Sequence, residues 1–360
     1  MPNRPDVARA ERAIRRWSRG GLDAATLRDR VLHEVRRAMP VDAAFFATAD
    51  PESLLFTSVH AEDPLAAVSA AFVANEFGAG DVNRFSTLAR ARAHVRTLDT
   101  ATRGDRAASA RYREIMAPLG LGDELRLALV EGDRCWGYLC LHREDGPLGF
   151  TPAEAAVLAR VGSHVAHGLR QAVLLHRRPA DAGTPRPGVV LLDDALDHVA
   201  STPEAEQLLP LLPADRPRRS PVPTAVRAVA AALLAAERPG PATGEPPPPS
   251  ARVPSAAGGW LDVHASRLGP PGAERIAVVV EAAGPATTFG VLCAAHGLSP
   301  REHEVTRLVV HGMSTREITA ALHISAHTVQ DHLKSVFDKV GVRSRRDLTV
   351  LLLSGTVRGH

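Results

Sequence analysis

Aromatic residues and cysteines are both scarce in this sequence. Only 4% of its 360 residues are Phe, Trp or Tyr, which disfavours the aromatic platforms that stack single-stranded nucleic acid. The three cysteines, Cys135, Cys140 and Cys293, form no CxxC pair and no disulfide framework, as expected in a reducing cytoplasm. Cys135 and Cys140 lie five residues apart in a predicted strand. We therefore expect them on opposite faces, without a shared metal.

Long apolar runs are absent as well. No segment reaches the roughly 18–20 apolar residues that a membrane span needs, so we expect a cytoplasmic protein with no membrane partner. Residues 1–21 are rich in arginine but lack the apolar stretch of a signal peptide, which predicts a helical extension with a solvated face. The length and the 45% apolar content predict two or three globular domains. A net charge of +3 permits nucleic-acid binding without establishing it.

Catalytic motifs are also missing. The sequence contains no P-loop, no G-x-S-x-G and no HExxH, so we expect no catalytic residues and find no evident cofactor. The alternative is an enzyme in the front half, such as a hydrolase of signalling nucleotides, but no acid, base and metal ligands cluster there. Asp193-Asp194 resembles the acidic pocket of a phospho-receiver domain, yet no strand-end lysine follows it. We interpret this pair as a turn.

Helix-capping patterns are dense at the carboxyl end of the chain. Ser299-Pro300-Arg301-Glu302 and Ser314-Thr315-Arg316-Glu317 each have the form of a capping box, and Ser325 and Ser344 are placed to start two further helices. Gly312 and Gly341 suit the ends of the first and third helices. Only about three residues separate the second helix from the third. This spacing predicts a four-helix domain that contains a helix-turn-helix.

The third of these helices has one apolar face and one polar face. Its apolar positions recur at spacings of four, three and four: Val329, Leu333, Val336 and Val340. Because that face is needed for packing, we expect five other side chains to point outward: Gln330, Asp331, Lys334, Ser335 and Asp338. The chain after His332 is mostly basic, which suits contacts to phosphate. The third helix is therefore the one predicted to enter the major groove.

Residues 298–352 resemble the LuxR-type helix-turn-helix family. The matching residues are Glu302, Gly312, Glu317, Ile318, Leu322, Ser325, Thr328, Val329, His332, Lys339, Gly341 and Arg345. The resemblance implies a DNA-binding domain over 292–356 in which Gln330, Asp331 and Lys334 face double-stranded DNA. Many relatives carry lysine where Gln330 stands, so the preferred bases are an open question. The candidate DNA-binding residues are Ser325, Thr328, Gln330, Asp331, Lys334, Lys339, Arg343, Arg345 and Arg346.

Two other interpretations of this domain are weaker. A helical bundle that only dimerises would leave the outward basic residues without a purpose. His323, His327 and His332 could be imagined as metal ligands, but their spacings of four and five span a turn and no thiolate joins them. We expect ordinary structural or solvent-facing histidines and no metal site.

The front half alternates predicted strands and helices. Residues 43–49 and 54–59 flank turn residues and predict a hairpin, and residues 124–130 and 135–142 predict a second antiparallel pair. Regular alternation would put Cys135, Gly137, Leu139 and Leu141 on one face of the latter strand. A long helix is capped at Thr151 and extends towards Arg178, either packing on its own sheet or also serving a dimer.

Residues 22–178 resemble a GAF domain, a sensory α+β fold. The strand at residues 136–142, the segment 146–152 and the long helix that follows carry this resemblance. It implies an unknown small-molecule effector, although no ligand signature is evident. Four aromatic residues are candidates to line a pocket, with ordinary core packing as the alternative: Phe45, Phe46, Trp136 and Tyr138. His164 and His167 on the long helix are interpreted as ordinary helix residues.

Residues 186–284 weakly resemble a PAS-like α+β domain. The carriers are the strand at residues 189–192 and two late strands at 260–265 and 276–281. A proline-rich loop over 239–254 interrupts the pattern, because such a run packs neither as helix nor as a central strand.

These features together predict a multidomain transcription regulator. The sensor half would bind a ligand or a partner and control the helix-turn-helix. We expect a homodimer that contacts RNA polymerase indirectly. The alternative is a regulator that sequesters a protein partner and binds DNA with little sequence specificity.

Overall fold

The computed structural model describes residues 4–354 except 79, 147–148, 177–184, 218–219, 239–247 and 271. The helices of the front half are α1 (Arg4–Ser18), α2 (Ala24–Ala38), α3 (Ser69–Phe77), α4 (Phe85–Arg90), α5 (Leu98–Thr102) and α6 (Pro152–Val173). Its strands are β1 (Ala43–Ala49), β2 (Phe56–Ala61), β3 (Val95–Thr97), β4 (Leu121–Glu131) and β5 (Arg134–Glu144). No helix in these ranges or in the rest of the described chain is long and apolar enough to cross a membrane.

The first sheet is antiparallel with the strand order β2-β1-β5-β4-β3. The predicted hairpin is confirmed, with its second strand over 56–61 rather than 54–59. The predicted pair at the centre is also confirmed and is longer than expected, with eleven residues in each strand. Both faces of this sheet are covered by apolar side chains, so it lies between two layers of the fold.

A β-bulge changes which face Trp136 occupies. Leu129 pairs with Gly137 and Val130 pairs with Cys135, so Trp136 is an extra residue in β5. The regular alternation that we expected is therefore wrong. Cys135 and Cys140 lie in the same core, while Trp136 joins Leu139 in the other. Glycine at position 137 lets β5 pass close to the backbone of Ala47, because a Cβ there would lie 2.5 Å from the carbonyl oxygen of Ala47.

The helices α1, α2 and α6 cover one face of the sheet. The capping box at Thr151 is confirmed, but α6 ends at Val173 rather than near Arg178, which lies outside the described residues. Gly168 lets these helices approach closely, since a Cβ there would lie 2.6 Å from a methyl carbon of Leu27. The apolar stripe of α6 is thus used for packing within the chain.

The middle region forms a second antiparallel sheet with the order β7-β6-β10-β9-β8. Its elements are β6 (Gly188–Leu192), β7 (His198–Ser201), α7 (Pro203–Leu208), α8 (Thr224–Glu237), β8 (Ser250–Pro254), β9 (Trp260–Leu268) and β10 (Arg275–Ala282). The strand β8 was missed, because we assigned residues 239–254 to a loop. It is an edge strand with prolines at its ends, where a missing backbone donor is tolerated.

The interpretation of Asp193-Asp194 as a turn is confirmed. The carboxylate of Asp193 accepts hydrogen bonds from the backbone amides of Ala195 and Asp197, at 3.0 and 2.9 Å. Asp194 forms an ion pair with Arg267 at 2.5 Å. Both carboxylates are therefore occupied by local contacts.

The two sheets share one continuous apolar core. The helix α8 packs against β2 and α3 of the front half and against β9 of the middle region. Two backbone hydrogen bonds also join Arg216 to β2. The amide of Ala61 donates to Arg216 O at 2.8 Å, and the amide of Arg216 donates to Val59 O at 2.9 Å. The front half and the middle region are thus packed together as one body of protein.

The carboxyl end is all-helical. Its helices are α9 (Pro285–Ala295), α10 (Pro300–Val310), α11 (Thr315–Leu322), α12 (Ala326–Val340) and α13 (Arg345–Ser354). The last four are the helices predicted from the caps. The helix α9 is shared between two cores: Val291, Ala294 and Ala295 lie in the core of the front half, and Cys293 lies in the core of the last four helices.

Candidate nucleic-acid interface

The caps that start the last helices are formed as predicted. At α10 and at α11, the serine hydroxyl accepts from the amide of the glutamate three residues on, and that glutamate accepts from the serine amide. These are Ser299 with Glu302 and Ser314 with Glu317. In each box, local hydrogen bonds satisfy the amides of the N-cap serine and of the glutamate three residues on. The starting points of these helices therefore follow from the sequence.

The turn between α11 and α12 is short and well supported. His323 ends α11 in the left-handed conformation, with φ of 52°, and its amide donates to Thr319 O. Ser325 then caps α12 by accepting from the amide of Thr328 at 3.1 Å. Arg301 of α10 donates to Leu322 O at 2.8 Å. These three contacts together fix the angle between α11 and α12.

The helix α12 exposes the residues that were predicted to meet DNA. Its apolar positions, Val329, Leu333, Val336 and Val340, are all buried. Gln330, Asp331 and Lys334 are exposed on the opposite side. Asp331 lies 3.5 Å from His327, one helical turn earlier, and both side chains are largely solvated.

Two residues of α12 instead hold the helix against α10. Ser335 was expected to point outward and this is wrong: its hydroxyl donates to Glu302 at 2.6 Å. Lys339 donates to both oxygens of Glu302, at 2.6 and 2.8 Å. Burial raises the pKa of Glu302, but these hydrogen bonds outweigh burial and lower it to about 2. Glu302 therefore stays ionised and ties α12 to the start of α10.

Arg345 also has a partner inside the domain. Its guanidinium donates to Met313 O at 2.9 Å and to Thr315 Oγ1 at 2.8 Å, which fastens the start of α13 to the start of α11. Its position is thus fixed by contacts within the protein, as is that of Lys339.

Several cations of this domain have no ion pair among the described residues. Lys334, Arg343 and Arg346 are exposed and have no ion pair within the described part of the chain. Arg316, in the first turn of α11, is exposed in the same way and was not nominated from the sequence. Its place in the first turn of a capped helix was the available signal, since helix N-termini commonly bind phosphate.

The four aromatic residues proposed for a sensor pocket do not come together. Phe45 and Tyr138 each stack on Phe85, in an aromatic cluster on one side of the first sheet that also contains Phe56 and Phe72. Phe46 and Trp136 lie in the core on the other side. Of the four, Trp136 borders a cavity, and it does so with residues from distant segments.

A buried network of charges near the aromatic cluster was missed. Arg111 and Glu124 are paired with neither side chain exposed, and Arg126 bonds to Glu76 at 2.8 Å. Burial raises the pKa of Glu124, but the two arginines lower it to about 2. The sequence gives little signal for it, because arginine and glutamate ordinarily stay exposed.

Histidines take several different roles. His167 contacts Glu131 at 2.9 Å rather than a pocket. In the described ranges, two groups place three metal-type ligand atoms close together: Glu124, Cys140 and His142, and Asp262, His264 and Glu281. Neither includes His323, His327 or His332. In the first group, Glu124 already neutralises arginines, and burial lowers the pKa of His142 to about 4.

Comparison with known proteins places both ends of the chain. Residues 296–352 match the luxR family of bacterial regulatory proteins, and residues 23–169 match the GAF domain. Both resemblances seen in the sequence are thereby confirmed, and the fold is a multidomain one with an α+β GAF domain and a helical LuxR-type domain.

Three relatives share the carboxyl-terminal domain. The spore germination protein GerE of Bacillus subtilis is 41% identical over 56 residues, which are 16% of this chain and 76% of that protein. The putative HTH-type transcriptional regulator Mb0914c of Mycobacterium bovis is 45% identical over 51 residues, 14% of this chain and 6% of the relative. The probable HTH-type transcriptional regulator GfsR of Streptomyces halstedii is 40% identical over 48 residues, 13% of this chain and 20% of the relative. The chain thus spans a small part of the two longer regulators.

Proposed function

This chain belongs to the LuxR family of bacterial regulatory proteins through its last four helices, and we propose that it is a DNA-binding transcription regulator controlled by its GAF domain. The observation that carries the proposal is the outer face of α12. That face is exposed and polar, follows a tight turn after α11, and has free cations beside it.

We assign different tasks to the residues around α12. Gln330 and Asp331 are placed to read base edges, where Gln pairs with adenine and Asp accepts from cytosine. Lys334, Arg343 and Arg346 supply phosphate contacts, which position a protein without reading sequence. Lys339 and Arg345 act mainly by holding α10, α11 and α13 in place, because their donors are already used inside the domain.

The assembly that acts on DNA is proposed to be a homodimer. Leu353 on α13 is a large apolar side chain exposed to 39%, and a second copy packed on α13 would cover it. A twofold dimer would bind two half-sites about one helical turn apart. A DNA partner supports a cytoplasmic location, where contact with RNA polymerase would be indirect.

The test is the affinity of the full chain for duplex DNA at several salt concentrations. We expect Lys334→Ala to weaken binding by about 1–3 kcal/mol and to reduce the salt slope by about one. Arg275→Ala is the matched control, since Arg275 is exposed on β10 and bonds only to Glu274 O among the described contacts. It should bind DNA like the unchanged protein.

The result that contradicts the proposal is binding that Lys334→Ala leaves unchanged. A shallow salt slope for the unchanged protein on random duplex DNA would instead favour the sequestering regulator, because phosphate neutralisation gives a steep slope.

A further inference from the structure

A cavity of about 220 Å³ lies where the GAF domain, the middle region and α9 meet. Its walls include Arg28 of α2, Trp136 of β5, Leu169 and Ala172 of α6, Trp260 of β9 and Val291 of α9. An engineered cavity of about 150 Å³ lined by apolar side chains takes up benzene. The volume here therefore suits a ring with a short substituent.

Arg28 is a buried cation without an ion pair on this wall. It is 3% exposed, its Nε lacks a hydrogen-bond partner among the described residues, and no carboxylate there lies within ion-pair distance. Burial lowers the pKa of Arg28, because water no longer solvates the guanidinium. A buried charge without a partner is costly, so its retention points to a partner that arrives from outside.

The carboxylates near Arg28 are committed elsewhere. Asp23 caps α2 by accepting from the amides of Ala25 and Thr26. Asp215 accepts from the amides of Val59 and Thr224, at 2.9 and 2.7 Å.

Two further charges around the cavity are also balanced. Arg216 pairs with Asp29 at 3.5 Å, and Arg252 at the cavity wall pairs with Asp50 at 2.8 Å. Asp29, Asp215 and Asp23 act on Arg28 through longer-range attraction. Arg28 is therefore the cation at this cavity that forms no ion pair with a described carboxylate.

A second buried donor lies on the same wall. Trp136 is 1% exposed, and its indole N–H has no acceptor in the described chain. A buried tryptophan N–H ordinarily finds a partner. Two buried donors without acceptors, next to apolar walls, match a ligand that has an anionic acceptor group at one end and an apolar body.

We propose that this cavity binds a small aromatic carboxylate, with its carboxylate on Arg28 and its ring among Trp136, Leu169 and Val291, and that α9 relays occupancy to the DNA-binding helices. The bulge in β5 is what turns Trp136 toward the cavity, away from the aromatic cluster that contains Tyr138. The site is distinct from the four-aromatic pocket expected from the sequence.

The relay is supported by the contacts of α9. Val291 borders the cavity, while Cys293, two residues later, is buried in the core of α10–α13. Phe289 contacts the ring of His303 in α10, with ring centres 5.2 Å apart. Arg170 of α6 holds the end of α9 through Ala295 O at 2.5 Å. A ligand that shifts α9 therefore acts on both cores at once.

The binding test uses the full chain without DNA, titrated calorimetrically with phenylacetate and with phenylacetamide, its neutral analogue. We expect phenylacetate to bind at least about tenfold more tightly than the amide. Arg28→Met should abolish that preference without lowering the thermal midpoint, because it replaces a buried unpaired charge by an apolar chain of similar length. Arg37→Met is the matched control, since Arg37 is exposed on the same helix. This variant should change neither the preference for phenylacetate nor the thermal midpoint.

A second variant tests the cavity independently, in case Arg28→Met does not fold. Ala172→Leu fills the cavity and should abolish binding of both probes while the unfolding midpoint is kept. No saturable binding of phenylacetate up to about 10 mM, equal affinity for the amide, or full binding by the folded Arg28→Met variant would each overturn the assignment.

The relay rests on the proposed function and is tested separately. Phenylacetate at saturation should change the affinity of the unchanged protein for duplex DNA by at least about threefold, and should have no effect on Arg28→Met. Binding of phenylacetate with unchanged DNA affinity would overturn the relay alone. Failure to retain DNA without any ligand would contradict the proposed function and leave the cavity assignment standing.

Discussion

Replacing Lys339 by methionine should loosen the DNA-binding domain rather than remove a DNA contact. Lys339 donates two hydrogen bonds to Glu302, whose side chain is 7% exposed. Hydrogen bonds to charged groups contribute about 1.5–3 kcal/mol each when buried. Lys339 is itself 38% exposed, so solvent screening reduces the contribution.

The expected loss is about 1–2 kcal/mol in the local free energy of unfolding. Ser335 and the Ser299 amide still bond to the carboxylate after the change and prevent a larger penalty. A loss of this size raises the open population by roughly 5–30 fold. Hydrogen exchange followed by mass spectrometry should therefore show faster exchange in α10 and α12, because those helices share the contact.

Lys334→Met provides the matched comparison. Lys334 is exposed on the same helix and has no ion pair in the described chain, so its exchange pattern should stay unchanged while DNA binding weakens. The reasoning fails if Lys339→Met exchanges like the unchanged protein and instead reduces the salt slope of DNA binding by about one. That outcome would make Lys339 a phosphate contact.

Two predictions concern the buried polar groups of the GAF domain. Burial lowers the pKa of His142 from 6.5 to about 4 in the folded protein. Between pH 6.5 and 4, the unfolded chain therefore binds a proton on His142 that the folded protein does not bind. The free energy of unfolding should fall by about 3 kcal/mol as the pH decreases through this range. His142→Leu should remove this dependence in urea titrations followed by tryptophan fluorescence, and an unchanged slope would contradict the assignment. Glu124→Gln should cost about 3–5 kcal/mol in the same assay, because Arg111 and Arg126 lose the buried carboxylate that they share; a loss below about 1 kcal/mol would show that their other partners, Asp81 and Glu76, compensate them.

The features predictable from the sequence were those set by neighbours along the chain. Ser299 and Ser314 start their helices through hydrogen bonds that span three residues, and the stripe from Val329 to Val340 reflects helical periodicity. Neither requires knowledge of the rest of the fold, which is why the helix-turn-helix could be located closely.

The features that the sequence left open depend on distant partners. Ser335 points inward because Glu302, 33 residues earlier, is held beside it by α10. Trp136 changes face because the pairing of β5 with β4 leaves it as an extra residue between Cys135 and Gly137. The cavity gathers residues from eight separate helices and strands. Arg28 therefore shows no sequence pattern that distinguishes it from its neighbours in α2.

The helix α9 limits how this architecture can be recombined. Its Val291 and Cys293 are buried in different cores, so a cut on either side of the helix exposes an apolar surface on one of the two products. A chimera that joins another sensor at Leu298 would lose the packing of α9 against α10–α13. A chimera that retains α9 would need a sensor domain with an apolar surface that packs against Val291. A functional exchange of domains at this boundary therefore has to transfer α9 together with the surface of the sensor half that packs against it.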